Sequence, residues 1–245
     1  MSFLLDLIFP RFCFVCGRFG DYFCPYCTKK LNIGKLNHLS SPRVEAHLSI
    51  FNDPNVKKAI TSLKYNFVTD LAPSLAKISA YTLKNKFPLI LEYWRQSDFC
   101  FIPVPLHYYR QNWRGFNQAS LIGEYLAKFL KLPFNPDLVI KTKYTDTQAK
   151  TSHKALRLKN QQSAFSLSSS LRLSASGGSV AKQSLSSKPT LSLSKRHCEE
   201  LATKQSQPLP FHIIIFDDVY TTGATTTSLA NIFPKNTSIW ILSLV

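Results

Sequence analysis

One stretch of the chain, residues 211–225, restricts the possible fold more than any other part of the sequence. Its first six residues are mostly β-branched or aromatic, a composition that predicts a short strand buried in a sheet. Two carboxylates, Asp217 and Asp218, end this strand. Adjacent carboxylates at a strand's end can accept hydrogen bonds from sugar hydroxyls or hold the water shell of Mg2+.

Small and hydroxyl-bearing residues follow the acid pair. Consecutive backbone N–H groups of such a loop can converge on an anion. Residues 225–233 then predict a helix whose positive N-terminal end points at the same place. The sequence therefore predicts a sugar-phosphate site, although a Walker B strand without a recognisable Walker A sequence upstream is the alternative. The predicted phosphate-binding residues are Thr221, Thr222, Gly223, Ala224 and Thr225.

The order of apolar run, Asp-Asp and Thr-Thr-Gly-Ala-Thr resembles the phosphoribosyl pyrophosphate (PRPP) binding motif of type I phosphoribosyltransferases. Tyr220 departs from that motif, in which an aliphatic residue is more frequent. The resemblance implies that Asp217 and Asp218 hold the ribose hydroxyls of PRPP together with Mg2+. It also implies that both are catalytic residues if the chain is an enzyme.

Composition is consistent with a globular protein built from one domain and small appendages, since 44% of the 245 residues are apolar and 13% are aromatic. The net charge of +16 predicts attraction to polyanions such as nucleic acid, nucleotides or acidic lipid surfaces. The first ten residues carry Asp6 and no basic segment, so they do not resemble a signal peptide. No apolar run approaches the ~20 residues of a membrane span. We therefore expect a cytoplasmic protein.

Four cysteines form two C-x-x-C pairs separated by seven residues near the N-terminus. In a reducing compartment such a cluster indicates metal binding rather than disulfides, and four thiolates suit tetrahedral Zn2+. The alternative, a redox dithiol, would need a thioredoxin-like βαβ context that is absent. We expect a structural zinc site, with Zn2+ held by Cys13, Cys16, Cys24 and Cys27.

Basic residues flank this knuckle at Arg11, Arg18, Lys29 and Lys30. Aromatic residues lie between these charges and could stack on the bases of single-stranded DNA. A solvated basic face, with the rings covering the metal site, is the equally weighted alternative.

Residues 47–51 predict a strand, and Asp53-Pro54 predicts the start of a helix. This helix has an apolar face, with Lys57, Lys58 and Lys64 on its other side. A second helix is predicted from Asp70 to about Lys86. Residues 99–104 predict another strand, which leads through a basic loop to a helix. The buried side of that third helix is expected to contain Leu121, Ile122, Tyr125, Leu126, Phe129 and Leu130.

Pro-Val-Pro-Leu-His, Arg-Gly-Phe-Asn-Gln, the four-cysteine knuckle and Asp-Asp-Val-Tyr-Thr-Thr-Gly-Ala-Thr together resemble the ComF family. That family joins a zinc ribbon to a phosphoribosyltransferase-like domain, and some members serve DNA uptake in competent bacteria. The resemblance implies further PRPP-binding residues on the segment after residues 99–104. These residues are Leu106, His107, Arg110 and Arg114. The loop that contains them would hold the pyrophosphate.

Residues 145–165 resemble the Thr-x-x-Gln, Arg-x-x-Asn, Ala-Phe pattern of ComF relatives, at the position of a mobile loop that closes over PRPP. On that resemblance alone, Gln148, Arg157 and Asn160 are assigned to PRPP binding; capping of a surface helix is the alternative. Residues 166–208 contain thirteen serines and no aromatic residue, a composition that predicts a disordered insert. A short strand is expected at residues 138–141, and residues 238–244 predict the last strand, at which the sheet ends.

We therefore predict a type I phosphoribosyltransferase-like α/β fold. It has a mainly parallel sheet of about five strands flanked by helices, and a zinc-ribbon knuckle over residues 1–33. Residues 34–245 form the phosphoribosyltransferase-like domain. The predicted function is ComF-like binding of PRPP or a related ribose phosphate, with a role in DNA uptake alongside other uptake proteins. The alternatives are an active phosphoribosyltransferase of nucleotide salvage, a nucleic-acid-binding module, and a module that senses PRPP.

Overall fold

A five-stranded sheet forms the centre of the structure, a computed structural model that describes residues 10–39, 43–143, 164–168 and 212–245. The strand order is β1-β2-β7-β6-β3, with β1 antiparallel to its neighbour and the other four strands parallel. A separate antiparallel hairpin joins β4 to β5. The strands are β1 (Leu36–His38), β2 (Ala46–Ser49), β3 (Cys100–Pro103), β4 (Val139–Lys141), β5 (Phe165–Leu167), β6 (His212–Asp217) and β7 (Ser238–Ser243).

Helices lie along the sheet and at the edge where its parallel strands end. Within the described residues they are α1 (Pro25–Thr28), α2 (Pro54–Tyr65), α3 (Leu71–Lys86), α4 (Pro88–Gln96), α5 (Tyr108–Arg114), α6 (Gln118–Leu130) and α7 (Ala224–Ala230). None of these helices has the length and apolar character needed to cross a bilayer, in the part of the chain that the structure describes. The predicted α/β fold with a mainly parallel sheet flanked by helices is confirmed.

Strand β6 is buried on both of its faces. Ile214 and Phe216 belong to the larger core cluster, which includes the packed faces of α2, α3 and α6, whereas Ile213 and Ile215 belong to a second cluster beneath α7. Such a central parallel strand reads as an uninterrupted apolar run because both of its faces must leave water. This is the pattern that identified the strand from the sequence.

The cysteine-containing segment packs on the same core as the sheet. Phe23 and Leu31 are buried in the larger cluster, with Phe14 and Tyr22 packed against it. The backbone N–H of Asn32 donates to Oδ2 of the buried Asp53 at 3.0 Å, just before α2 begins. The predicted knuckle and the predicted larger domain therefore share one hydrophobic core.

Several sequence expectations are wrong in detail. The basic segment after β3 is not a loop, since residues 108–114 form α5, which His107 caps and Gly115 ends at φ 78°. Tyr125 and Phe129 of α6 are exposed rather than inside, because burial on this helix is confined to a narrower face. The strand at residues 238–243 lies between β2 and β6 instead of ending the sheet.

The start of the predicted insert is also corrected, because Ser166 and Leu167 are part of β5 and pair with Ile140 and Val139. The rest of the insert, residues 169–208, lies outside the described residues.

Asp53 provides a test of the contact between the knuckle and α2. Its side chain accepts a hydrogen bond from Asn55 N at 2.8 Å as the N-cap of α2, in addition to the bond from Asn32. We expect Asp53→Ala to lower the unfolding free energy by about 1–3 kcal/mol, because a helix cap and a bond to a charged group are both lost. Urea denaturation measures this change.

Asp70→Ala is the matched control. Asp70 occupies the N-cap position of α3, but its side chain makes no capping hydrogen bond. Its replacement should change the unfolding free energy by less than about 0.5 kcal/mol. Equal losses in the two variants would show that the Asp53 contacts do not stabilise the fold.

Candidate functional site

The acid pair lies where the parallel strands β6, β7 and β3 end. Asp217 is the last residue of β6 and pairs with Ser243 of β7. Asp218 follows it and is 94% buried. Lys64, at the end of α2, reaches this edge and places its Nζ 2.8 Å from Asp218 Oδ2. Both predicted acids therefore lie at the carboxyl edge of the sheet, where ligands of α/β proteins bind.

The two carboxyl groups are electrostatically crowded. Burial, followed by repulsion from Asp218, raises the pKa of Asp217 to about 8, although Lys64 acts in the opposite direction. A bound cation or a set of hydroxyl donors would favour the ionised form that burial disfavours. The arrangement thus fits Mg2+ or sugar hydroxyls as partners of the acid pair.

A small cavity lies beside the acid pair, with a volume of about 80 Å³ and an accessible lining that is almost entirely polar. A water molecule needs only about 10–15 Å³ on this measure, so the cavity has room for a phosphate-sized group. It contains every residue of the predicted phosphate loop. Its lining consists of Asp217, Val219, Tyr220, Thr221, Thr222, Gly223, Ala224, Thr225 and Thr226.

Tyr220, the residue that departs from the family motif, shapes this cavity. Its ring packs so closely on Gly223 that a Cβ at position 223 would overlap the tyrosine hydroxyl. Gly223 also has a φ of 70°, which side chains other than glycine rarely adopt. Glycine is therefore required at position 223 for both the backbone turn and the ring contact.

His47 of β2 supports Tyr220 from below. The two rings stack with centroids 3.7 Å apart, and His47 Nε2 lies 2.9 Å from Ser243 Oγ. Burial lowers the pKa of His47 to about 4, so the imidazole is neutral at physiological pH. A neutral ring that is hydrogen-bonded on one side and stacked on the other holds the tyrosine at the loop without adding charge.

Basic residues face the acid pair from two other elements. Arg114 of α5 interacts electrostatically with Asp218, and Lys141 of β4 interacts with Asp217 and with Arg110. Burial lowers the pKa of both Arg114 and Lys141. Together with Lys64, these three residues give a cationic surround to the edge of the sheet.

Not every predicted residue of this segment has a side chain that is available for a ligand. His107 is 95% buried, and its Nδ1 accepts from Tyr109 N at 3.4 Å as the cap of α5. Leu106 lies in the turn before it and is half-buried. Asn117 caps α6 and donates to Val104 O at 3.0 Å, which makes it a structural residue. Gln148, Arg157 and Asn160 lie outside the described residues.

The four predicted metal ligands form one cluster. Every Sγ atom lies within 4.8 Å of the others, and the Cys16 and Cys24 sulfurs are 3.9 Å apart. Tetrahedral Zn2+ with Zn–S bonds of about 2.3 Å places sulfurs about 3.8 Å apart, so the spacing suits this ion. No disulfide joins the described cysteines. The cluster could bind a metal such as zinc.

Local turns bring these thiols together. Gly17 N donates to Cys13 O, with a φ of 69° at Gly17, and α1 begins directly after Cys24. Burial alone would raise the pKa of Cys13. Hydrogen bonds from the backbone of Cys24, Cys16 and Val15 outweigh this effect and lower the pKa to about 6. Burial and bonds with neighbouring thiols raise the pKa of Cys27 to about 12. Without a cation, therefore, the four thiols do not all ionise at neutral pH.

The sequence did not reveal three residues of the site, namely His47, Lys64 and Lys141. Lys64 was placed on the outer side of α2 by helical periodicity, but its side chain is only 22% exposed and reaches Asp218. His47 carried no signal beyond its strand. The only sequence signal for a ring such as His47 beside the phosphate loop was Tyr220, which stands where the family motif more often has an aliphatic residue.

This protein is of the class that combines an α/β fold with an acid pair at the carboxyl edge of its sheet, a polar loop cavity and a four-cysteine cluster. Comparison with known proteins adds a relative called Competence protein F from Haemophilus influenzae, which is 44% identical over 66 residues. The match covers 27% of this chain and 28% of that protein, so it spans less than a third of either length. No family model matches the chain. No solved structure matches it either. The similarity confirms the predicted resemblance to the ComF family.

The raised pKa of Asp217 makes a prediction about pH. An acid with a raised pKa keeps a proton in the folded state that the unfolded chain releases, so its contribution to stability is lost as pH rises towards about 8. We expect Asp217→Asn to be more stable than the natural sequence at pH 8.5, with the difference narrowing at pH 6.5. Urea midpoints of the ligand-free protein at the two pH values measure this, with the exposed Asp98→Asn as control. A constant difference would contradict the assignment.

The cysteine cluster makes a prediction about metal content. Purified protein should contain about one Zn2+ per chain, and Cys13→Ser/Cys24→Ser should lose it because two of four ligands are removed. Elemental analysis measures the metal. Cys100→Ser is the matched control, since Cys100 is buried in β3 away from the cluster and its replacement should leave zinc unchanged. Undiminished zinc in the double variant would rule the cluster out.

Proposed function

We propose that this protein binds PRPP, or a related ribose phosphate, at the carboxyl edge of its sheet and acts in DNA uptake. The single observation that carries the binding proposal is the polar cavity that extends from Asp217 along the hydroxyl-rich loop. A role in competence is supported by the similarity to Competence protein F. The experiment below also distinguishes transfer of the phosphoribosyl group from binding of its donor alone.

The ligand is divided among the site's parts by charge. Asp217 and Asp218 accept hydrogen bonds from ribose hydroxyls, which are the donors that suit two adjacent carboxylates. Residues 221–225 surround the 5-phosphate with backbone N–H groups and hydroxyls. Because α7 has only seven residues, we base this anion site on the loop cavity rather than on the end of the helix.

The pyrophosphate is assigned to the basic residues. Arg110 and Arg114 were expected at this place from the family resemblance, and Lys141 interacts electrostatically with Arg110 and Asp217. One guanidinium group can donate two parallel hydrogen bonds to two phosphate oxygens, whereas an ammonium group acts as a compact charge. Leu106 and His107 contribute by shaping and capping α5 rather than by direct contact.

Mg2+ fits the acid pair because a divalent cation would favour the ionised form of Asp217, which burial disfavours. When bound, it supplies charge neutralisation for the leaving pyrophosphate. Asp217 and Asp218 are the residues that would hold it through its water shell. Lys64 contacts Asp218, with its Nζ 2.8 Å from Oδ2.

A second candidate function is the binding of single-stranded DNA by the cysteine-containing segment. The supporting observation is a cleft of about 360 Å³ between this segment and α3, lined by two lysines, one tyrosine, one isoleucine and three polar side chains. Tyr26 is exposed nearby, with Lys30 Nζ 4.2 Å from its ring centroid. Binding to the phosphates of a strand would weaken steeply with salt. The cleft is lined by Thr28, Lys29, Ile33, Tyr81, Thr82, Asn85 and Lys86.

Replacing Arg11, Arg18, Lys29 and Lys30 by Gln distinguishes this function from the first. The variant should bind single-stranded DNA more weakly, with a flatter dependence on salt, while PRPP affinity stays the same. Fluorescence anisotropy with a labelled oligonucleotide measures the former. If PRPP affinity falls and DNA affinity does not, the segment belongs to the ribose-phosphate site.

Calorimetry with PRPP and Mg2+ tests the main proposal. We expect saturable binding by the natural sequence and a loss of at least about tenfold in Asp217→Asn/Asp218→Asn, because each lost bond to a charged group is worth about 1.5–3 kcal/mol. Asp98→Asn is the surface control. Unchanged affinity in the double variant would remove the ribose-phosphate site. Pyrophosphate release in the presence of candidate acceptors then separates an enzyme from a sensor.

A further inference from the structure

The lining of the cavity beside the acid pair contains no basic side chain among the residues that the structure describes. It does contain Asp217, so an anion bound there would lie near a carboxyl group. Such an anion depends on neutral donors, which are backbone N–H groups and hydroxyls. Thr226 is not one of them, because its Oγ1 already donates to Gly223 O at 3.0 Å. Any other hydroxyl that reaches the cavity is therefore important for binding an anion.

The hydroxyl of Tyr220 lies against the turn at Gly223. The position that a Cβ of residue 223 would occupy is only 2.1 Å from Tyr220 Oη. Tyr220 also lines the cavity, whose accessible lining is almost entirely polar, so the hydroxyl is the part of this side chain that faces the cavity. Within the described residues the hydroxyl has no hydrogen-bond partner. The chain therefore has an unused donor beside the phosphate loop.

Several contacts fix the position of Tyr220. Its backbone N–H donates to Val245 O at 2.7 Å. The ring stacks on His47 with centroids 3.7 Å apart, and His47 Nε2 lies 2.9 Å from Ser243 Oγ. The ring also packs against the buried cluster beneath α7. A donor that is fixed before the ligand arrives loses little conformational entropy on binding.

Tyr220 is a hydrogen-bond donor over the whole physiological pH range. Burial raises the pKa of its phenol above the usual value, so the phenol keeps its proton and can donate one hydrogen bond. Burial also lowers the pKa of His47 to about 4, which leaves the stacked imidazole neutral. Neither ring adds a charge to the cavity, so an anion would gain from the direction of the phenol O–H bond rather than from attraction to a cation.

We propose that Tyr220 binds the 5-phosphate of the ligand, with its hydroxyl donating a hydrogen bond to a phosphate oxygen in the cavity. This inference rests on the proposed function and extends the phosphate site beyond residues 221–225. An aliphatic residue, which is more frequent at this position in the resembled motif, could pack on His47 but could not donate a hydrogen bond. The ligand class is an anion with a terminal phosphate, since the cavity has room for a phosphate-sized group.

Tyr220→Phe is the test variant, because it removes the hydroxyl and keeps the ring that stacks on His47. Calorimetry with ribose 5-phosphate, and with PRPP and Mg2+, should show affinities about 10- to 100-fold lower than those of the natural sequence, the range for one hydrogen bond to a charged group. Affinity for Mg2+-pyrophosphate should stay the same, since that group is assigned to the basic residues. Tyr125→Phe, which removes the hydroxyl of an exposed tyrosine on α6, is the matched control and should bind all three ligands normally.

Two further measurements separate a direct hydrogen bond from a structural role. The urea midpoint of Tyr220→Phe should equal that of the natural sequence, because the hydroxyl has no partner among the described residues. In 19F NMR of the full-length protein containing 3-fluorotyrosine, ten tyrosines contribute, and the resonance that is missing from Tyr220→Phe belongs to Tyr220. That resonance should shift when ribose 5-phosphate is added and stay in place when Mg2+-pyrophosphate is added.

The other outcomes separate this proposal from the one on which it rests. If ribose 5-phosphate and PRPP bind equally well to Tyr220→Phe, or if Mg2+-pyrophosphate loses as much affinity as they do, the Tyr220 proposal is overturned and the ribose-phosphate site stands. A lower urea midpoint without a shift of the Tyr220 resonance would show a structural role and would overturn it too. If inorganic phosphate binds and depends on the Tyr220 hydroxyl while PRPP does not bind, the proposed function fails and Tyr220 keeps its phosphate. Absence of binding by all of these anions overturns both.

Discussion

Parallel pairing on both sides of β6 is the constraint on which the rest of this structure depends. Strand β6 is hydrogen-bonded to β3 (residues 100–103) on one side and to β7 (residues 238–243) on the other, and this pairing holds it in one register. A shift by one residue would exchange its two buried faces, which are packed against different clusters. The register therefore decides where Asp217 ends the strand and which groups it meets.

Groups from distant parts of the chain compensate for the charge at that edge. Lys64 of α2 contacts Asp218, and Lys141 of the β4–β5 hairpin interacts with Asp217. Both acids lie at the end of β6, much later in the sequence than the two lysines. The acid pair is unfavourable for the empty protein, as the raised pKa of Asp217 indicates. A site that is electrostatically unfavourable when empty gains more from a ligand that satisfies it, which is typical of pre-organised binding sites.

Patterns within one element were predictable, whereas contacts between elements were not. The apolar run of β6 and the buried face of α2 follow from periodicities of the sequence itself, and the structure confirms Val56, Ala59, Ile60 and Leu63 as buried. The predicted placement of Lys64 on the outer side of α2 was wrong because periodicity assigns only the side of the helix from which a side chain starts. A long, flexible lysine side chain can reach from the edge of that side to Asp218. The stack of His47 on Tyr220 joins β2 to the loop after β6, which is far away in the chain, and no local pattern records it. The helix α5 was missed because its three aromatic residues and Asn112 are weak helix formers.

The position of β7 has a consequence for how the chain folds. This strand occupies the slot between β2 and β6, and the bond between His47 and Ser243 joins residues 196 positions apart. During synthesis, β2, β3 and β6 leave the ribosome before the strand that separates β2 from β6. Until residues 238–243 arrive, β2 and β6 each present an unpaired edge, the kind of surface that invites association with other chains. Completion of the sheet is therefore a late, non-local step, and slow folding is expected of such a topology.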